Sequence, residues 1–338
     1  MLKPFIKHAI ENTHLDPARA EEAMGIVMRG EATPAQIAAW LVALRQKGET
    51  AEEITGFVRG MRGAMVTLDD VPENTIDTCG TGGDGLSTFN ISTAAALIVA
   101  ACDVPVAKHG NRAVSSNCGS ADVLVALGFN IDPGPEIAKR ALHKTNFAFL
   151  FAPGFHPAMK HAIGPRREIG VRTVFNILGP LCNPARVKRQ VIGVFDRHWL
   201  TSIAAALGSV GAERVLVVSG PDGADELLPS GVNHFAEWDS RRVREFTMDA
   251  SDFGISAISV DALRGDSAEG NAAIIRQIAS GADGPKTEVA LLNAGAALWV
   301  AGKSDSIRQG IGVARAAVKD GRVGRLIDAA AAASRGEL

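Results

Sequence analysis

"TIDTCGTGGDGLSTFNISTAAALIVAACDVPVA", residues 75–107, changes texture three times within one short span. Residues 75–78 read as a short strand, followed by a glycine-rich loop of small polar side chains. Ser92 and Thr93 then stand before an apolar run at 94–101 and read as its helix cap. Residues 105–107 read as a second buried strand. A strand, loop, helix and strand in this order imply a mainly parallel sheet covered by helices.

The alternation resumes downstream, with 190–195 as a strand, 200–207 as a helix and 214–219 as a strand. Near the end, 287–301, 304–319 and 325–333 read as helices. Residues 239–286 are mixed and give no clear pattern. Upstream of residue 66 every signal is helical. Asp16-Pro17 sets a cap before a proline at the first helical position. Thr33-Pro34-Ala35-Gln36 and Thr50-Ala51-Glu52-Glu53 are capping-box patterns. Ile37, Trp40, Leu41 and Leu44 share one face, read as a domain or subunit contact.

The 338 residues allow one large or two smaller domains. Lys+Arg 35 against Asp+Glu 37 leaves a net charge of −2, so no basic surface addresses nucleic acid or anionic lipid. No uninterrupted apolar run is long enough for a membrane span. Lys7 and His8 interrupt MLKPFIKHAIEN, which is therefore not expected to be a signal peptide. Cys79, Cys102, Cys118 and Cys182 show no C-x-x-C or zinc-like spacing, so reduced thiols in a cytoplasmic protein are expected.

The glycine loop carries the chemistry. Gly80, Gly82 and Gly83 let backbone N–H groups converge, and Thr88, Asn90, Ser92 and Thr93 add short donors beside a helix N-terminus. Together they make an anion site, most naturally for phosphate. The spacing fits neither G-x-x-x-x-G-K-[ST] nor G-x-G-x-x-G. Asp84 would repel a bare phosphate unless it held a hydroxyl or a metal bridged the two. "KHGNRAVSSNCGSAD" (108–122) follows the second strand, where open α/β sheets bind ligands. Adjacent Asp225 and Glu226 in "DGADEL" (222–227) suit a hard cation such as Mg²⁺. Arg166, Arg167 and Arg172 beside Gly164-Pro165 offer a carboxylate clamp. "FNILGPLCNP" (175–184) reads as a chain reversal.

GTGGD (80–84), NIST (90–93), KHGNR (108–112), GSADVL (119–124), FLFAPGFHPAMK (149–160), RREIGVRTVFNILGPLCNPA (166–185) and DGADE (222–226) resemble, in order, the motifs of the anthranilate phosphoribosyltransferase family. The resemblance implies an α/β protein of the nucleoside phosphorylase/phosphoribosyltransferase type, with a small all-helical N-terminal domain and a larger α/β domain. The helical domain would span 1–68 with a later helical insertion near 166–185, and the α/β domain 69–338. The implied reaction joins anthranilate to 5-phosphoribosyl 1-diphosphate, releasing diphosphate, in tryptophan biosynthesis.

By the same resemblance, Gly80, Gly83, Asp84, Thr88, Asn90, Ser92, Thr93, Lys108 and Ser120 would contact phosphoribosyl diphosphate. Ser92, Asp225 and Glu226 would hold Mg²⁺, the cofactor. Asn111 and Arg166 would bind anthranilate, with His109 as a pocket wall. The substrate-binding set extends to Ile91, Gly110, Arg112, Ala113, Val114, Ser115 and Ser116. Lys108, Asp225 and Glu226 would carry catalysis. The implied partners are the two substrates and a second copy bound through the helical domain, with no nucleic acid or membrane. A pyrimidine nucleoside phosphorylase would need no acid pair, and a nucleic-acid-binding relative would have lost KHGNR or the acids.

Overall fold

The computed structural model describes residues 1–113 and 118–338. It opens with helices α1 (Lys3–Ile10), α2 (Pro17–Met28), α3 (Pro34–Lys47) and α4 (Ala51–Arg62). Local chemistry sets their starts. Asp16 accepts the Arg19 N–H at 2.8 Å. Thr50 Oγ1 accepts the Glu53 N–H at 3.2 Å while Glu53 Oε2 accepts the Thr50 N–H at 3.1 Å, a complete capping box. Thr33 caps one way only, accepting from Gln36 at 3.3 Å. Ile37, Trp40, Leu41 and Leu44 are all buried.

The chain then enters β1 (Ile76–Gly80), crosses through α5 (Ile91–Ala100) to β2 (Val106–Gly110), and through α6 (Ser120–Ala126) and α7 (Pro135–Thr145) to β3 (Phe147–Phe151). Next come α8 (Ala152–Phe155), α9 (Lys160–Ile169), α10 (Phe175–Leu181), β4 (Arg189–Gly193), α11 (Leu200–Ser209) and β5 (Arg214–Ser219). The antiparallel pair β6 (Asn233–Trp238) and β7 (Val243–Met248) follows, then α12 (Ala250–Phe253), α13 (Ala268–Ala279), α14 (Pro285–Val300), α15 (Ile307–Lys319) and α16 (Arg322–Ser334).

Among the described residues the strands form one sheet in the order β3-β2-β1-β4-β5-β6-β7. The first five are parallel and the last two antiparallel. From β1 the chain goes outward to β2 and β3, then returns to the other side of β1 as β4. Loops leaving β1 and β4 therefore diverge and open a crevice at their carboxyl ends, where such sheets bind ligands.

Helices α5 and α13–α16 cover one face of the sheet in a single apolar core. On the other face, Ile192, Val194, Val215, Val217 and Ala236 share a core with α11, α10 and the N-terminal helices. Helix α9 packs on α2 and α3, and α10 on α4. Residues 160–181 thus join the N-terminal helices although about a hundred residues separate them in sequence.

Several local expectations are corrected. Helix α5 starts at Ile91, with Asn90 and not Ser92 or Thr93 at the cap position, so both hydroxyls lie inside its first turn. Lys108 and His109 belong to β2 itself. Residues 175–181 form a helix and not a reversal, because Phe175, Ile177, Leu178 and Leu181 are buried together. That burial outweighs the poor propensity of Gly179 and Pro180. Residues 239–286 resolve into β7, α12 and α13. No described helix is long and apolar enough to cross a membrane.

Candidate active site

Gly80 and Gly193 stand opposite each other in the β1–β4 register, at the mouth of the crevice. A Cβ on Gly80 would strike the Asp225 carboxylate, and one on Gly193 the Asp225 main chain. Two strand-end glycines therefore let the 221–226 loop lie across the strand ends. Asp225 Oδ2 there accepts the Gly82 N–H at 2.6 Å, and Glu226 Oε1 accepts the Ser92 N–H at 3.2 Å. The next residue is clamped from α14: Asn293 Oδ1 accepts the Leu227 N–H at 3.1 Å and its Nδ2 donates to the Leu227 carbonyl at 2.9 Å.

Burial pushes both acidic groups upward, Asp225 further by the Asp84 charge beside it and Glu226 by Asp225. Crowded carboxylates of this kind call for a cation. No cluster of three or more His, Cys, Asp or Glu with ligand geometry occurs among the described residues. A carboxylate pair beside Ser92 instead fits Mg²⁺, which takes one or two carboxylates and completes its shell with water and phosphate.

Lys108 is fully buried on β2. Its Nζ donates to the Thr78 carbonyl and to Ser92 Oγ at 3.2 Å. Burial lowers the affinity of this ammonium for its proton, and Asp77, then Glu226 and Asp225, work against that. Asp77 is held in turn, accepting the His109 N–H at 3.2 Å and Asn183 Nδ2 at 2.8 Å. The Lys108 amino group thus reaches the first turn of α5, and the acid pair favours its charged form.

The loop itself is open to an anion. Gly82 and Gly83 both have positive φ, 69° and 80°, a pair that L side chains resist. The Asp84 carboxylate accepts the Leu86 N–H at 3.1 Å. Thr88 bridges to Arg264. Asn90 ties three elements together, donating to the Cys118 carbonyl at 3.2 Å and accepting from Asn271 at 2.9 Å. Ile91 is buried, and the buried Thr93 Oγ1 has no partner among the described residues.

Beyond β2, Gly110 leads to Asn111, whose carbonyl accepts Ser120 Oγ at 3.3 Å. Arg112 turns to Asp122 at 2.8 Å, which also accepts the Ala113 N–H at 3.1 Å. Its charge is therefore paired within this segment. Val114, Ser115 and Ser116 lie outside the described residues. The His109 and His156 rings lie 5.0 Å apart, and burial pushes them down to about 3 and about 4. Both are neutral near pH 7, and each Nε2 is buried without a partner among the described residues. Arg166 on α9 lies over the Phe175 ring at 5.2 Å, and burial alone lowers its pKa. It has no ion pair among the described residues, so it is placed to receive an anion.

Gly193, Asn293, Asp77, His156 and Phe195 escaped the reading of the sequence as site residues. Asn293 left a trace, as one amide within the apolar run at 289–300; Gly193 left none, because its role depends on a loop that arrives thirty residues later. Arg166 and Arg172 do not form one clamp. The Arg172 guanidinium lies over the Phe195 ring at 4.1 Å and donates to the Gly83 carbonyl.

The geometry agrees with what the chain resembles. Residues 3–65 match the family model described as the helical bundle domain of a glycosyl transferase family, and residues 72–323 match its a/b domain. An anthranilate phosphoribosyltransferase of Moorella thermoacetica is 50% identical over 95% of both chains. The chain belongs to the anthranilate phosphoribosyltransferase family. The crystal structure of the Thermus thermophilus family member superposes with a TM-score of 0.93 at 42% identity, covering 98% of this chain and 99% of that one. The Saccharomyces cerevisiae family member in complex with PRPP and Mg gives a TM-score of 0.90 at 25% identity, covering 99% and 98%.

Proposed function

We infer that the chain transfers the 5-phosphoribosyl group of 5-phosphoribosyl 1-diphosphate to the amine of anthranilate. The products are N-(5-phosphoribosyl)anthranilate and diphosphate, in tryptophan biosynthesis. The observation that carries this reading is the meeting of Lys108, the Asp225–Glu226 pair and the first turn of α5 at one end of the crevice, with the neutral His109 next to Lys108 on β2.

In this reading Gly80, Gly83, Asp84, Thr88, Asn90, Ser92, Thr93, Lys108 and Ser120 hold the phosphoribosyl diphosphate. Ser92, Asp225 and Glu226 hold Mg²⁺, a metal the S. cerevisiae relative binds together with PRPP. Bound there, Mg²⁺ supplies positive charge against the diphosphate. Arg166 takes the anthranilate carboxylate, Asn111 its neighbourhood, and the His109 ring a wall of the aromatic pocket. Lys108 Nζ and the loop N–H groups stabilise charge growing on the departing diphosphate. The anthranilate amine is neutral near pH 7 and attacks the anomeric carbon from the face opposite the breaking C–O bond to diphosphate, inverting it, and the new nitrogen then gives up one proton to water or the departing diphosphate. No base is needed before attack, so positioning and leaving-group electrostatics carry the rate.

The same reading divides the chain into a helical domain, 1–68 with the 166–185 insertion, and an α/β domain, 69–338. It also assigns a homodimer through the helical domain and a cytoplasmic location. The assay is loss of anthranilate fluorescence on adding phosphoribosyl diphosphate, with and without Mg²⁺. Turnover that depends on both and disappears in Asp225→Asn/Glu226→Gln is expected. Full turnover in that double variant at modest Mg²⁺ would refute the metal assignment, and no turnover in the native chain would refute the reaction.

A further inference from the structure

We propose that Arg172 is a positioning residue, a strut that sets the Gly82–Gly83 turn from the helical layer and thereby controls diphosphate binding. The inference rests on the phosphoribosyl-transfer reading above and adds a residue to it.

Residues 82 and 83 have positive φ, and as glycines they bring no side chain to anchor the turn. The turn is held from outside. On one side the Gly82 N–H donates to Asp225 Oδ2 at 2.6 Å. On the other, Arg172 Nη2 donates to the Gly83 carbonyl. A donor from an always-charged guanidinium to a carbonyl is among the stronger single hydrogen bonds.

Arg172 is itself braced at three points. Its guanidinium carbon lies 4.1 Å from the Phe195 ring centroid, a stacking geometry that keeps the fork oriented. Its own carbonyl accepts Arg45 Nη1 from α3 at 2.8 Å. The following residue, Thr173, donates its N–H to Asn176 Oδ1 at 2.9 Å, and Val174 and Phe175 are buried in the core shared with the N-terminal helices. The main chain of Arg172 therefore moves with the helical layer, while its side chain reaches the phosphate loop of the sheet layer. Phe195 is tied to the same loop, donating its N–H to Thr81 Oγ1 at 3.2 Å. Arg166, which faces the amine substrate in this reading, lies six residues earlier in the same segment.

Arg172→Met keeps an apolar stem over Phe195 and removes the donors. It is expected to raise KM for phosphoribosyl diphosphate about tenfold, with KM for anthranilate and kcat moving by less than about threefold. Arg172→Lys should recover part of the loss. Phe195→Leu removes the ring beneath the guanidinium and should raise the same KM about threefold. In the ligand-free protein, amide hydrogen exchange in the 80–90 segment should quicken about tenfold in Arg172→Met; this readout is independent of turnover. An unchanged exchange rate, or an unchanged KM for phosphoribosyl diphosphate, overturns the strut. A raised KM in Arg172→Met with none in Phe195→Leu also overturns it, because the guanidinium would then be leaving the ring to touch diphosphate. Absence of turnover in the native chain would instead refute the transfer reaction, with exchange still deciding the strut.

Discussion

Gly193→Ala places one methyl group where the main chain of the 221–226 loop passes. The added Cβ would overlap the Asp225 carbonyl, with the Asp225 Cα only 3.0 Å away. Its neighbours are backbone, so no side-chain rotation relieves the clash. Restoring ordinary contact, about 3.5 Å between carbon atoms, moves the Asp225 peptide by on the order of 1 Å. The loop cannot follow freely: Asn293 clamps Leu227, the Gly82 N–H holds Asp225, and the Thr81 N–H is bonded to the Gly193 carbonyl at 2.9 Å. Overpacking of this kind costs about 1–3 kcal/mol, which lowers Tm by only a few degrees in a chain of this size. In the proposed reaction, a shift of about 1 Å in the acid pair costs on the order of a hundredfold in rate. The expected result is a folded protein with kcat/KM for phosphoribosyl diphosphate down about a hundredfold, with the loss partly offset by raised Mg²⁺. Anthranilate fluorescence measures the first quantity and differential scanning fluorimetry the second. Gly312→Ala, at a helical position with open space around it, is the matched control and should gain about 0.5–1 kcal/mol. Normal kinetics in Gly193→Ala would show that the strand-end gap does not place the acid pair.

Arg166→Ala removes a charge-assisted partner worth about 1.5–3 kcal/mol, so KM for anthranilate should rise tenfold or more while that for phosphoribosyl diphosphate stays nearly constant; the opposite split would assign Arg166 to the phosphate site. Gly83→Val forces a β-branched residue to φ 80° and crowds the Arg172 guanidinium; it should cost much of kcat/KM for phosphoribosyl diphosphate with a small change in Tm, and the reverse pattern would make the turn merely structural. His156 is held neutral, its pKa pushed from 6.5 to about 4. The unfolded chain therefore binds the extra proton first, and stability falls as pH drops from about 6.5 toward 4. That depression corresponds to roughly 3 kcal/mol, so His156→Gln should lessen the loss of stability across this window in urea titrations followed by tryptophan fluorescence, while His109, pushed down to about 3, keeps the remainder; an unchanged pH slope would refute it.

Local order was legible in the sequence wherever neighbours along the chain decide it. Asp16 and Thr50 cap their helices with atoms three residues away, and Ile37, Trp40, Leu41 and Leu44 share a face because 3.6 residues make a turn. The strand–glycine–helix–strand rhythm at 75–107 announced a parallel sheet, because a parallel connection needs a crossover, and placed a glycine turn with positive φ at the end of its first strand. Where one element ended was decided by distant partners. Lys108 belongs to a strand because β2 pairs beyond Ala107 with β3, and residues 175–181 are helical because α4 and the sheet bury their apolar side chains. The site is tertiary in the strictest sense. Gly80, Gly193 and Asp225 are far apart in the chain, and only the return of β4 to the far side of β1 brings them together. Arg172 looked like a partner of Arg166 because six residues separate them, yet one reaches Gly83 and the other Phe175. Sequence determines what a residue can do and the turn it sits in. Which groups meet across the crevice is decided by the topology of the sheet and the packing of its layers, which couple residues at any separation along the chain.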